Sequence, residues 1–326
     1  MFIAAVLAAG WLSFAPVLTP RQEVAVAAAN GKVYLIGGIG DAGVILDSVE
    51  EYDPHAGAWR FVAPLPRPVH HAAAATIGIS IYVIGGYETL AFDPVSFVYR
   101  FDTQLDQWTE VASLPLPRGA LAAVAIGGKI YAAGGVPRGR DLTVYDPNTN
   151  AWTTLPSMPT PREHLAAAAA NGILFVAGGR FSFGNTNAFE CYEPGPQRWT
   201  ALPPLPTARS GIAAAVLAGR MYVFGGEGNS ASLTGIFPQT ESFDLATFTW
   251  RSEPLMRTPR HGIGAATIGK LIFIPAGATV QGFGRRARTT RFSRRRCEGD
   301  QFAIDKQRES DLQCANPKTN RPVGNY

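Results

Sequence analysis

Val33-Tyr34-Leu35-Ile36-Gly37-Gly38 is the stretch that decides the fold, because the chain repeats it. Tyr82-Val83-Ile84-Gly85-Gly86, Ile130-Tyr131-Ala132 before Gly134-Gly135, Leu174-Phe175-Val176 before Gly178-Gly179, and Met221-Tyr222-Val223-Phe224-Gly225-Gly226 follow at intervals of 44 to 49 residues. A degenerate sixth copy, Leu271-Ile272-Phe273-Ile274 leading to Ala276-Gly277, comes 51 residues after the fifth. A fixed period of this length is the mark of a repeat architecture, in which each unit buries its apolar face only against its neighbours.

Other markers keep the same period. An aromatic precedes a tryptophan by seven residues at Tyr52/Trp59, Phe101/Trp108, Tyr145/Trp152, Tyr192/Trp199 and Phe243/Trp250, with turns such as Asp53-Pro54 between them. Each tryptophan leads into a Leu-Pro element, then Pro-Arg, then an Ala-rich strand such as Ala72 to Ala75 or Ala166 to Ala170. Apolar strand, Gly-Gly, loop, aromatic and tryptophan at fixed offset together resemble the kelch repeat, over residues 11 to 296.

The resemblance implies an all-β fold, a six-bladed kelch-type β-propeller with four-stranded antiparallel blades. Glycine at the end of the second strand permits a left-handed backbone and close approach where blades converge. The large aromatics fill the wider outer spaces, and alanines suit the crowded inner strand. Five tryptophans sit in complete repeats, and Trp11 is spare. The sixth repeat has an aromatic at Phe292, with Gly299 where tryptophan is due. Trp11 therefore predicts that an N-terminal strand completes the sixth blade and removes the open edge of a linear array. Residues 297–326 are polar, lack periodicity, and are expected to form a loose tail outside a propeller of residues 11–296.

Composition narrows the function. The net charge of +4 is local: without the seven arginines of the 285–296 run, the remainder is net −3, so a nucleic-acid partner is not expected. The three cysteines show no CxxC pair and no zinc-like spacing. The apolar run 2–9 is too short to span a membrane and lacks a basic flank, so no membrane span is expected. An extracytoplasmic location follows if a signal sequence lies upstream of Met1, and a cytoplasmic one otherwise.

Propellers of this family bind partners at one end of the ring, on the residues after Gly-Gly and those opening the inner strand. Sixteen residues before each first glycine stand Arg21, Val69, Arg118, Arg162, Arg209 and Arg260. Five equivalent arginines point to a repeated structural role, each bonding carbonyls of the next blade. The next two columns vary: Gln22-Glu23, His70-His71, Gly119-Ala120, Glu163-His164, Ser210-Gly211 and His261-Gly262. Four of the five histidines fall here, at what reads as a wet strand end. After Gly-Gly the contact-forming residues are Tyr87, Glu88, Arg138, Arg180, Phe181 and Glu227.

The candidate binding set is therefore Gln22, Glu23, His70, His71, Tyr87, Glu88, Arg138, Glu163, His164, Arg180, Phe181, Ser210, Glu227 and His261. No cofactor and no metal are expected. The histidines come from different blades around a mouth on the order of 10 Å wide, too far apart for metal bonds of about 2 Å unless side chains converge. No P-loop, nucleophile elbow or HExxH occurs, and no Tyr-His pair supports a copper-radical oxidase. The leading expectation is a monomeric, non-catalytic module that binds a protein or glycan partner at the Gly-Gly end. The alternative is an enzyme resembling the bacterial kelch-type sialic acid mutarotases, with Glu163, His164, Glu23 and Arg180 as its acid–base and carboxylate-binding groups.

Overall fold

The structure, a computed structural model, describes residues 10–182, 184–282 and 299–303. Two expectations therefore lie outside the described residues: the arginine run 285–296 and most of the tail. Among the described residues no helix is long and apolar enough to cross a membrane.

The fold is an all-β propeller of four-stranded antiparallel blades. Blade one is Ala25–Ala29, Lys32–Ile36, Val49–Asp53 and Ala58–Val62, counted from the inside out. Blade two opens with Ala73–Ile77, blade three with Ala122–Ile126, blade four with Ala166–Ala170 and blade five with Ala213–Leu217, each adding three further strands in chain order. A last four-stranded sheet joins Ala266–Ile268, Leu271–Ile274 and Gly299–Ala303 to the N-terminal strand Gly10–Phe14. In blade four, Cys191 is buried and disulfide-bonded.

That last sheet corrects the sequence reading of its third strand. The strand is Gly299–Ala303, beyond the expected limit at 296, and Phe302 rather than Phe292 stands opposite Trp11 in the register. The same register pairs Tyr52 with Trp59 and Phe101 with Trp108. The physical reason is length: 21 residues lie between Gly277 and this strand, against 6 to 13 after Gly-Gly in the other repeats, so their spacing does not carry over.

Two sets of hydrogen bonds tie each blade to the next. The indole N–H groups of Trp59, Trp108, Trp152, Trp199 and Trp250 donate to Ala15, Ala63, Ala112, Pro156 and Pro203 of the preceding blade, at 2.7–3.0 Å. Trp11 makes the equivalent bond to Pro254 at 3.0 Å, so it does the work of the missing sixth tryptophan. Nearer the axis, the second glycine of each pair donates to the carbonyl of the next arginine-column residue, from Gly38 to Val69 through to Gly277 to Arg21.

This approach explains the glycines. Gly37 has φ +58, and a Cβ there would stand 2.4 Å from the Val69 carbonyl oxygen of the next blade. The sixth copy places Ala276 in the same left-handed conformation, at φ 57.

The arginine column is structural, but its bonds stay within each arginine's own blade. Arg162 donates to the Ala188 carbonyl at 2.6 Å and pairs with Glu190 at 2.5 Å, both side chains buried. Arg21 pairs with Glu50 at 2.6 Å, and Arg209 with Glu241. Arg118 meets Thr143 instead, at 2.5 Å. Blade two has no such pair: Val69 and Tyr99 occupy the two positions and join the apolar core between blades one and two.

Candidate binding site at the channel mouth

The inner strands begin at one end of the axial channel. There Glu23, His71, Ala120, His164, Gly211 and Gly262 form a ring. Each backbone N–H donates to the carbonyl of its counterpart in the preceding blade at 2.8–3.1 Å, and Glu23 donates to Gly262, so the bonds return to their start. All six lie at φ between +52 and +63. A side chain in this left-handed region costs about 1–2 kcal/mol relative to the ordinary conformations. Glycine accepts it freely, yet three of the six positions carry Glu, His and His.

The residue before each ring member forms an antiparallel bridge with the first residue after Gly-Gly: Gln22 with Ile39, His70 with Tyr87, Glu163 with Arg180, Ser210 with Glu227, His261 with Ala278. Cross-strand neighbours at such bridges face each other. The Arg180 Nε therefore donates to Glu163 Oε1 at 2.7 Å. Its Nη1 bonds Glu227 of blade five, and its Nη2 lies 3.2 Å from His164 Nε2. The His70 and Tyr87 rings stand 5.4 Å apart.

The remaining contacts gather on Glu23. Its Oε2 lies 3.1 Å from His71 Nε2, and its Oε1 lies 3.4 Å from His261 Nδ1. His261 Nδ1 is also 3.4 Å from Glu227 Oε2, and Glu163 touches His164. His71 Nδ1 is 2.5 Å from His70 Nδ1, and His70 Nε2 is 3.0 Å from the Thr89 carbonyl oxygen. His261 Nε2 is 3.1 Å from the Val280 carbonyl oxygen.

The strand ends are not wet. His70, Ser210, Glu227 and His261 are buried. Burial raises the Glu23 carboxyl to about 7; Glu227 adds to the rise, against the pull of His261 and Arg180. Burial lowers His70 to about 4 and His71 to about 3, with the neighbouring charges of His71 and Arg180 respectively adding to the fall. His164 is held well below its ordinary value, again chiefly by burial. The imidazoles of His70, His71 and His164 are thus neutral at pH 7.

The side chains converge across the mouth. One ligand atom each from Glu23, His71 and His164 lies within 4.8 Å of the others. Ala120 between His71 and His164, and Gly211 and Gly262 beyond, leave the centre to the three long side chains; the two histidine rings are 4.8 Å apart. Below them the channel holds about 160 Å³, walled by the alanines of the inner strands.

The sequence matches the KLHDC2/KLHL20/DRC7 Kelch-repeats domain family over residues 23–205 and again over 121–285. The chain belongs to the kelch-repeat family. It is 35% identical to mouse Kelch-like protein 35 over 92 residues, 28% of this chain and 16% of that protein. An F-box/kelch-repeat protein of Arabidopsis thaliana is 38% identical over 76 residues, 23% of this chain and 20% of that protein. The chain thus matches a fifth or less of either relative's length. Among solved structures, "Structure of YjhT" superposes with a TM-score of 0.71 at 17% identity, covering 82% of this chain and 94% of that one, a likeness of fold alone.

On this kelch propeller the candidate residues divide. Glu23, His70, His71, Tyr87, Glu163, His164, Arg180, Glu227 and His261 come together at the mouth. Gln22 is half-buried and Ser210 buried beside them, each with a side-chain oxygen lacking a hydrogen-bond partner. Glu88 turns to the rim and pairs with Arg67 at 3.4 Å. Arg138 and Phe181 are exposed on their loops.

Sequence reasoning missed Phe92, whose ring stands 5.2 Å from that of His70 and 5.3 Å from that of Tyr87. It also missed Asn185, which donates from Nδ2 to the Glu227 carbonyl at 2.8 Å. Both sit in loops whose lengths differ between repeats, so no column pointed to them.

Proposed function

We propose that this chain is a closed, six-bladed kelch propeller that acts as a monomeric binding module for a protein partner, docked on the face around the channel mouth. Kelch-repeat propellers are typically protein-interaction modules, and the observation that supports this reading here is the sidedness of the exposed apolar residues. Because strands alternate in direction, the second-to-third and blade-to-blade connections share the mouth face. Of the twelve large apolar side chains exposed among the described residues, nine sit on those connections. Val44, Leu90, Phe92, Phe181, Leu233 and Val280 project from the loops after Gly-Gly of five repeats, and Leu233 is fully exposed. Such a rim of apolar anchors suits a protein surface. Its mostly aliphatic character favours a protein over a glycan, which would call for stacking aromatics.

Affinity capture with cross-linking tests this reading, comparing wild type, Leu90→Asp/Leu233→Asp, and Leu105→Asp on the opposite face. A partner held by wild type and Leu105→Asp but lost by the double variant supports the assignment. Loss with Leu105→Asp alone moves the interface to the other face.

The convergence of Glu163, His164 and Arg180 favours the mutarotase as a second reading. It ranks lower because Arg180 is already engaged by two carboxylates, Glu163 and Glu227, so a sugar carboxylate has to compete with both. Exchange NMR of a sugar acid's anomers decides it: acceleration by wild type that disappears in Glu163→Gln makes the protein an enzyme.

A further inference from the structure

We propose that Glu23, His71 and His164 bind a divalent transition-metal ion of the zinc class on the propeller axis, with His261 as a supporting donor. This is independent of the partner-docking rim.

Hydrogen-bond partners orient the histidine nitrogens of the cluster. The Thr89 carbonyl can only accept, so His70 carries its proton on Nε2. His70 Nδ1 is then an acceptor, and the 2.5 Å contact requires His71 to carry its proton on Nδ1. That leaves His71 Nε2 bare, 3.1 Å from Glu23 Oε2. The Val280 carbonyl likewise holds His261 Nε2, which turns Nδ1 toward the axis. His261 Nδ1 is buried without a hydrogen-bond partner and faces Glu23 Oε1 and Glu227 Oε2, each at 3.4 Å. The Glu23 carboxyl thus stands between His71 Nε2 and His261 Nδ1, at 3.1 and 3.4 Å. A metal ion here takes the place of a proton shared between the carboxyl and an imidazole.

The chemistry of the cluster selects the cation. Two neutral imidazoles and a carboxylate are the donor set that zinc and its neighbours favour. Glu163 and Glu227 share the single guanidinium of Arg180, so the mouth carries an excess of acidic groups that favours a cation. Metal-ligating histidines usually pass their other nitrogen's proton to an outer acceptor; His71 does so through His70 to Thr89, and His261 to Val280. Around a tetrahedral ion with bonds of about 2.0–2.1 Å, ligand atoms stand roughly 3.4 Å apart. The Glu23–His71 contact is already near that value, and side-chain rotation brings His164 in from within 4.8 Å. Three protein ligands leave a fourth position open to water or to a donor atom from a partner.

Isothermal titration of the EDTA-treated, dialysed full chain with ZnCl2, repeated with CoCl2 and read by visible absorption, tests the site. The expected result is one ion per chain, visible Co2+ bands of tetrahedral type, and affinity lowered at least tenfold in His71→Gln and in His164→Gln. Wild-type protein that takes up no Zn2+ at 100-fold excess overturns the proposal, whatever the variants do. So does stoichiometric binding that survives in a folded His71→Gln/His164→Gln double variant. The partner-docking variant Leu90→Asp/Leu233→Asp is expected to bind Zn2+ like wild type, so the two readings can fail separately.

Discussion

Two columns of polar side chains encircle this propeller, two residues apart in sequence, and they solve burial in opposite ways. The column of Arg21, Arg118, Arg162, Arg209 and Arg260 turns into its own blades, where strand carbonyls and, in three blades, a buried glutamate receive the guanidinium. The column of Glu23, His71 and His164 turns to the axis, where side chains from different blades meet, with Glu163 Oε2 and His261 Nδ1 lacking hydrogen-bond partners beside them. Position on the repeat sets the difference. The first column lies beside strand ends of the same sheet; the second lies past the last strand pairing, where the nearest groups are its own counterparts. A column bonded within its own blade can recur from blade to blade, whereas an axial column that did so would crowd like side chains into one mouth. Its other members are accordingly Ala120, Gly211 and Gly262.

The proposed closed ring would carry both columns, so opening it is the strongest perturbation. Deletion of residues 1–18 removes Trp11 and the strand that covers Gly299–Ala303. It turns Gly299–Ala303 into an edge strand. The melting temperature by circular dichroism is expected to fall by more than ten degrees with loss of a single cooperative transition; an unchanged melt defeats the closure argument.

The next largest effect separates the columns. Arg162→Ala strands the buried Glu190 carboxylate and is expected to cost about 3–5 kcal/mol in urea unfolding. Arg162→Val combined with Glu190→Tyr copies the blade-two solution of Val69 and Tyr99 and is expected to cost less than half as much. An equal loss in both variants means that the carbonyl bonds, and not the ion pair, carry the column.

A carboxylate outside both columns supplies a pH reference. Burial alone would raise the Glu51 carboxyl, but hydrogen bonds from Arg60, Lys32 and Tyr34 outweigh it and hold the group below its usual 4.5. A depressed folded value means that its stabilisation is full above the unfolded value of about 4.5 and is lost as pH falls through the lower folded value. Urea midpoints from pH 6 down to pH 3 are expected to fall more steeply for wild type than for Glu51→Gln. Parallel curves remove Glu51 from the acid response.

The smallest effect tests backbone strain in the axial ring. Ala120→Gly relieves a left-handed alanine at φ 55. It is expected to raise stability by up to about 1 kcal/mol, part of the relief being offset by the freer unfolded chain. Gly262→Ala is expected to act oppositely, because its Cβ would stand 2.7 Å from Glu23 Oε1. A stabilising Gly262→Ala contradicts the packing of the ring.

Much of this was legible in the sequence, for a definite reason. Gly37-Gly38 and its copies, the aromatic–tryptophan pairs and the arginine column recur because each blade meets its neighbours through the same backbone geometry. The spare Trp11 announced the N-terminal strand, and its indole bond to Pro254 matches the five others. Repeats fail as a guide where the period breaks. The third strand of the last sheet moved from Phe292 to Gly299–Ala303, since the segment after Gly277 is longer than its counterparts. Phe92 and Asn185 sit in loops that no column aligns.

The sequence by itself determined the repeat, the Trp and Arg columns and the positions free to vary, because these depend on local pattern and on contacts each blade makes with the next. Only the tertiary structure decided that Glu23, His71 and His164 meet. They lie 48 and 93 residues apart along the chain. Their convergence within 4.8 Å follows from the ring of backbone hydrogen bonds that runs from Glu23 through every blade back to Gly262. That ring narrows the mouth, and the left-handed backbone at each of its members directs the side chain. Neither feature is a property of any one repeat: both arise when the last sheet closes on the first.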